Sequence, residues 1–181
     1  MAETKIVSNV PYQEAVGCVL YLAQCTRPDI SFSVASVSQF NQQHGQAHWT
    51  AVKRILRYLK GTLHYKLTYA LDTKFDELCG YTDADWASSF VDIKSCTGYA
   101  FLWQGAAISW ATKKQPTVAL STAESEYMSL SAATQEALWL SQLKKEILGG
   151  DWSPLEIFCD NKAAVDLTET GTFSLRTNTF L

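Results

Sequence analysis

An α/β layer preceded by a small helical unit is the fold class this sequence predicts, and three observations predict it. The hydrophobic period changes from helical to alternating near residue 71. Beyond that point the segments read β-β-β-α-β-α, antiparallel strands followed by a helical crossover to a parallel strand. The charge changes sign at the same place. From Ile30 to Leu71 there is no Asp or Glu, while Lys53, Arg54, Arg57, Lys60 and Lys66 fall there with all three histidines; residues 72 to 181 hold fifteen acids against eight bases. A basic front and an acidic back predict two units, residues 1 to 70 and 71 to 181.

The front unit reads as helices. "VPYQEAVGCVLYLAQC" puts Tyr12, Ala15, Val19, Leu22 and Ala23 on one stripe, and "PDISFSVASVSQF" opens with Pro28 and Asp29, where a helix start favours them. In "HWTAVKRILRYLKG", Trp49, Val52, Ile55, Leu56 and Leu59 recur at helical spacing and Gly61 supplies a stop. On the other side of that helix Lys53, Arg54, Arg57 and Lys60 form a cationic stripe that no acid interrupts. Such a stripe suits phosphate, although a solvated face has the same appearance.

In the back unit, "LCGYTDA" is a first strand. "TGYAFLWQ" alternates Tyr99, Phe101 and Trp103 against Ala100 and Leu102, and "AAISWATKK" follows across Gln104-Gly105 as the second arm of a hairpin. "STAESEYMSLSAATQEALWLSQLKKEIL" is a long helix ending before Gly149-Gly150; "LEIFCD" is a short strand, and "NKAAVDLTE" starts a helix directly behind it.

The acids can then be placed. Asp83 and Asp85 end the first strand, and Asp160 ends the fourth, at the carboxyl edge where the crossover brings it beside Asp83. Ser121 and Glu124 have capping-box spacing, which gives Glu124 a structural task. Glu126 has none. It continues the stripe of Leu130, Ala133 and Ala137 toward the sheet, where a carboxylate is costly unless it is paired or holds a metal. Three acids from three elements on one edge suit two divalent cations.

Composition narrows the class. With 47% apolar residues over 181 positions the chain is globular, and its five cysteines include no CxxC pair, which predicts free thiols in a reducing compartment. No apolar run approaches a membrane span and no signal-peptide core is visible, so the expected setting is intracellular, cytoplasmic or nuclear, without a membrane partner.

Long stretches carry a family resemblance: "PYQEAVGCVLYLAQCTRPDISFSV", "HWTAVKRILRYLKGT", "YTDADWASS", "DIKSCTGYAFLWQGAAISWATKKQPTVALSTAESEYMSL", "EALWL" and "CDNKAAVDL". Over most of residues 10 to 177 the chain resembles the end of the Pol polyprotein of copia-type LTR retrotransposons, the last part of reverse transcriptase followed by ribonuclease H. The resemblance implies a ribonuclease H-like mixed sheet behind a helical thumb or connection segment. It implies hydrolysis of the RNA strand of RNA–DNA hybrids with two Mg²⁺ or Mn²⁺ ions, held by Asp83, Glu126 and Asp160. The basic helix, Lys53 to Lys60, then meets primer and template, with Lys113, Lys114 and Gln115 as further nucleic-acid contacts and the remainder of a reverse transcriptase as partner.

The departures bear on activity. Relatives continue past "SLRTN" to a fifth strand and a fourth metal-site acid, whereas here the family's lysine position reads Asn178 and the sequence ends at Leu181. The expectation is a sheet lacking its last strand, one weakened ion, and weak or no cleavage by this chain. A catalytically dead nucleic-acid-binding or domesticated transposon remnant is the alternative, and the roles of Asp85 and Glu124 stay open.

Overall fold

The computed structural model describes residues 10–70, 77–89, 92–149 and 154–170. The chain divides into two compact units, Met1–Thr68 and Tyr69–Leu181.

The first unit is helical. Helices α1 (Tyr12–Cys25), α2 (Ser31–Ser38) and α3 (Gln46–Gly61) are joined by a 3₁₀ turn at Pro28–Ile30 and close on one apolar core. Tyr12, Val16, Val19, Ile30, Val34, Val52 and Ile55 lie at its centre. The expected stripes are shifted by one residue at their margins. Val16 is buried in place of the expected Ala15, Leu22 is exposed, and Leu56 is exposed beside buried Val52, Ile55 and Leu59, because three helices of this length leave each only a narrow buried face. The Tyr12 hydroxyl donates to the Val37 carbonyl at 2.7 Å, and its ring stacks on His44 with centroids 4.3 Å apart.

Arg27 ties the turn after α1 to the end of α3. Its guanidinium donates to both Asp29 carboxylate oxygens, at 2.9 and 2.7 Å, and to the Thr62 hydroxyl at 2.7 Å. It also lies 5.6 Å from the Tyr58 ring centroid and 5.7 Å from that of Tyr65. The planar fork thus satisfies a buried charge from several sides, which a lysine could not do.

The second unit is α/β. A mixed four-stranded sheet has the order β3-β2-β1-β4, built from β1 (Cys79–Asp85), β2 (Cys96–Trp103), β3 (Ala106–Lys114) and β4 (Glu156–Phe158). β1 pairs antiparallel with β2 and parallel with β4, so the long helix α4 (Thr122–Leu148) is the crossover that parallel pairing requires. Helix α5 (Lys162–Thr170) follows β4. The β2–β3 hairpin turns through Gln104 and Gly105, both at positive φ (55° and 79°), the backbone twist that a two-residue hairpin favours.

α4 covers one face of the sheet with small residues. Ser125, Ser129, Ala133 and Ala137 are buried there with Leu140, and Phe101 is the large side chain they pack against. Ser129, not the expected Leu130, follows Glu126 on this face. Its small hydroxyl allows close approach and satisfies strand groups, meeting Thr82 Oγ1 at 2.8 Å and donating to the Asp83 carbonyl at 2.7 Å. At the start of α4 the Glu124 amide donates to Ser121 Oγ at 3.1 Å, while the Glu124 carboxylate accepts from the Leu120 amide. The cap therefore reaches one residue beyond the expected box. No helix among the described residues is long and apolar enough to cross a membrane.

Glycine is required at residue 80, where a Cβ would overlap the buried Phe101 ring. Gly80→Ala should lower the urea-unfolding stability of the second unit by about 1–3 kcal/mol through overpacking. Gly17 in α1 has open space around it, and Gly17→Ala should instead raise the stability of the first unit by about 0.5–1 kcal/mol.

Candidate metal centre and nucleic-acid surface

The strand pattern delivers the acids. Because β4 runs parallel to β1, with Phe158 beside Tyr81, the chain leaving β4 at Cys159 and Asp160 emerges at the same edge as the carboxyl end of β1. α4 enters from its capped N-terminus at that edge, so Glu126 sits in its second turn above Asp83 and Ala84. The structure brings Asp83, Glu126 and Asp160 together. Carboxylate oxygens of Glu126 and Asp160 and the Cys159 sulfur all lie within 4.8 Å of one another, and the Asp83 charge is near enough to push the Glu126 carboxyl up.

Glu126 is the unusual member. It is only 6% exposed, and its Oε2 is buried without a hydrogen-bond partner. Burial pushes its carboxyl up from 4.5 to about 7; the negative charges of Asp83 and Asp160 add to the rise, against the pull of the Ala84 amide. A buried carboxylate oxygen with no donor costs free energy that a cation would return. The three carboxylates offer oxygen donors of the kind that suit Mg²⁺ or Mn²⁺. Asp85 is exposed on β1, paired in register with Cys96.

Cys159 is a member of this cluster that the sequence reading does not include. Burial raises its thiol, the Asn161 amide lowers it, and the charges of Glu126, Asp160 and Asp83 raise it further. Its position directly before Asp160 is the available signal.

The basic residues are placed as follows. Lys53, Arg54, Arg57 and Lys60 are all exposed on α3, away from the core face. Lys113 is exposed on β3. Lys114 forms a 2.8 Å ion pair with Asp92, which holds that carboxyl down at about 2. Gln115 is 3% exposed and donates from Nε2 to Thr97 Oγ1 at 3.0 Å and to the Ser125 carbonyl at 2.9 Å. Its amide protons are spent inside the unit, joining β2 to the first turn of α4.

The raised carboxyl of Glu126 fixes a pH dependence. Between about 4.5 and about 7 the folded chain holds a proton that the unfolded chain has released, so stability falls as pH rises through that window. Without divalent cations, Glu126→Gln should remove this fall and leave the second unit more stable at pH 8, by up to about 3 kcal/mol. Urea titrations of both chains at pH 5 and 8 check it.

No family model matches the chain, and no solved structure matches it. Among curated proteins it is 43% identical to the retrovirus-related Pol polyprotein from transposon TNT 1-94 of Nicotiana tabacum, over 94% of this chain and 13% of that one. It is 38% identical to the corresponding polyprotein from transposon RE2 of Arabidopsis thaliana, over 96% of this chain and 12% of that one. It is 48% identical to secreted RxLR effector protein 161 of Plasmopara viticola, over 75% of this chain and 94% of the effector. The chain spans about an eighth of the length of the Pol polyproteins it matches and nearly the whole of the effector. It belongs to the family of effector protein 161 and is similar, over nearly its whole length, to a short part of these transposon Pol polyproteins.

Proposed function

We propose that the acidic edge is a ribonuclease H-type nuclease site, one that cuts the RNA strand of an RNA–DNA hybrid. The observation that carries this reading is a buried, unpartnered Glu126 carboxylate oxygen in a side chain clustered with Asp160 and close enough to Asp83 to feel its charge. The similarity of the chain to retrovirus-related Pol polyproteins of transposons, and the ribonuclease H that the motif resemblance implies, support that substrate.

Asp83, Glu126 and Asp160 would hold two Mg²⁺ or Mn²⁺ ions, which when bound supply an activated water and stabilise the leaving 3′ oxygen. The protein's own groups do the positioning. Ser129 fixes the β1 backbone at Asp83 through the 2.7 Å bond to its carbonyl. Exposed Asp160 gives substrate phosphate access to the edge, and Lys53, Arg54, Arg57 and Lys60 supply a sequence-independent grip on phosphates.

A second reading is nucleic-acid binding without turnover. It is favoured by the cationic stripe, which is carried by a helical unit with a core of its own and no part in the acidic cluster.

The test is cleavage of a labelled RNA–DNA hybrid with Mg²⁺ or Mn²⁺. The nuclease reading expects Mn²⁺-supported cutting that Asp83→Asn and Asp160→Asn each reduce at least a hundredfold while hybrid binding is kept. Binding with no cutting under either ion contradicts the nuclease reading and supports the second. Replacing Lys53, Arg54, Arg57 and Lys60 by glutamine should weaken hybrid binding and flatten its salt dependence, by a log–log slope of about 1 for each phosphate no longer neutralised. An unchanged slope would remove α3 from the interface.

A further inference from the structure

We propose that Cys159 joins Glu126 and Asp160 in a second cation site, one that takes a thiophilic divalent ion such as Zn²⁺ and thereby closes the acidic edge to Mg²⁺. The inference rests on the reading of this edge as a cation centre, and it adds an inhibitory ion to that centre.

Three donors define the site. The Cys159 sulfur and carboxylate oxygens of Glu126 and Asp160 lie within 4.8 Å of one another. Around a tetrahedral Zn²⁺, with bonds of about 2.0–2.3 Å, ligand atoms sit about 3.5 Å apart, so small side-chain rotations close the set around one ion. Glu126 is more than nine-tenths buried with Oε2 unpartnered, and that oxygen belongs to the carboxylate facing the sulfur. The fourth position is left to water on the side of Asp160, which is exposed and gives the ion a way in.

The chemistry separates the two ions. A thiol offers almost nothing to Mg²⁺, which seeks oxygen, whereas Zn²⁺ binds thiolate strongly. On Zn²⁺ binding the sulfur–metal bond forms and the thiol proton leaves to solvent. Zn²⁺ drawn in by the sulfur takes Glu126 and Asp160 oxygens that Mg²⁺ also needs, so the two ions compete for the edge. Cys18 and Cys25 are exposed on α1, and among the described residues neither they nor Cys79 and Cys96 join such a cluster.

The test uses the full chain with its thiols reduced and Cd²⁺ as a spectroscopic substitute for Zn²⁺, read by the ultraviolet thiolate-to-metal charge-transfer band. The expected result is a saturable band that Cys159→Ser removes, Cys96→Ser keeps, and Glu126→Gln shifts to at least tenfold higher Cd²⁺. Circular dichroism of each variant verifies folding, and Cys159→Ala takes the place of Cys159→Ser if the serine chain does not fold. A Cys159→Ser chain should still bind Mn²⁺. A band that survives loss of Cys159, or one indifferent to Glu126→Gln, overturns the proposal. Hybrid cleavage insensitive to Zn²⁺, with no band, overturns this site and leaves the nuclease reading intact. A band without any cleavage sustains this site while the nuclease reading fails.

Discussion

Holding one carboxylate largely buried at the edge of the sheet is the constraint on which the second unit depends. Glu126 points from α4 at the carboxyl end of β1, and every neighbouring choice keeps that position possible. The serine cap at residue 121 starts the helix at the right place, and Ser125 and Ser129 are small enough to bring its first turns down onto the sheet. Thr82 and Ser129 satisfy each other beneath it. Gln115, buried between β2 and α4, fastens the same turn from the hairpin side. A core built only for stability would fill these positions with leucine or valine. Polar groups bonded to one another beside an unpartnered Glu126 oxygen, with the Gln115 Oε1 also left without a partner, belong instead to a site.

The edge is assembled by topology. A helical crossover to a parallel strand returns the chain beside β1, and the residues after β4 emerge where β1 ends. Asp83 and Asp160, far apart in sequence, thereby become neighbours of the same glutamate. The mutual repulsion this creates is part of the design, since it raises the Glu126 carboxyl and makes the cluster a better receiver for positive charge than for another anion. The cationic residues lie on a different unit with its own core, so under the proposed function phosphate binding and metal handling fall to two separately packed units.

Much of this is legible in the residues themselves. The strands, the crossover helix and the convergence of Asp83 with Asp160 follow from alternation, from helix-forming runs and from the helix that starts directly after "CDN". Glu126 stands out because Ser121 already accounts for Glu124 and nothing accounts for it. Three things are less visible. The buried face of α4 runs through Ser129 and not Leu130, because close packing against strand carbonyls selects a small polar residue and hydropathy alone selects a large apolar one. Gln115 reads as a strand-end polar residue, yet its amide donates inward, a matter of side-chain direction that spacing does not encode. Cys159 sits where the chain bends out of β4, so its sulfur and the Asp160 carboxylate meet around Glu126 although the residues are consecutive.

Under the proposed function, three carboxylates, from β1, α4 and the end of β4, form one divalent-cation centre. Titration of the ¹⁵N-labelled chain with substoichiometric Mn²⁺ tests it most directly, because a paramagnetic ion broadens the amides nearest to it. First losses are expected at Asp83, Ala84, Glu126, Asp160 and Asn161 together, with the Gln104–Gly105 turn at the far end of the hairpin broadened least and the pattern abolished in Asp83→Asn. Broadening spread over surface acids, or confined to one of the three elements, would contradict it.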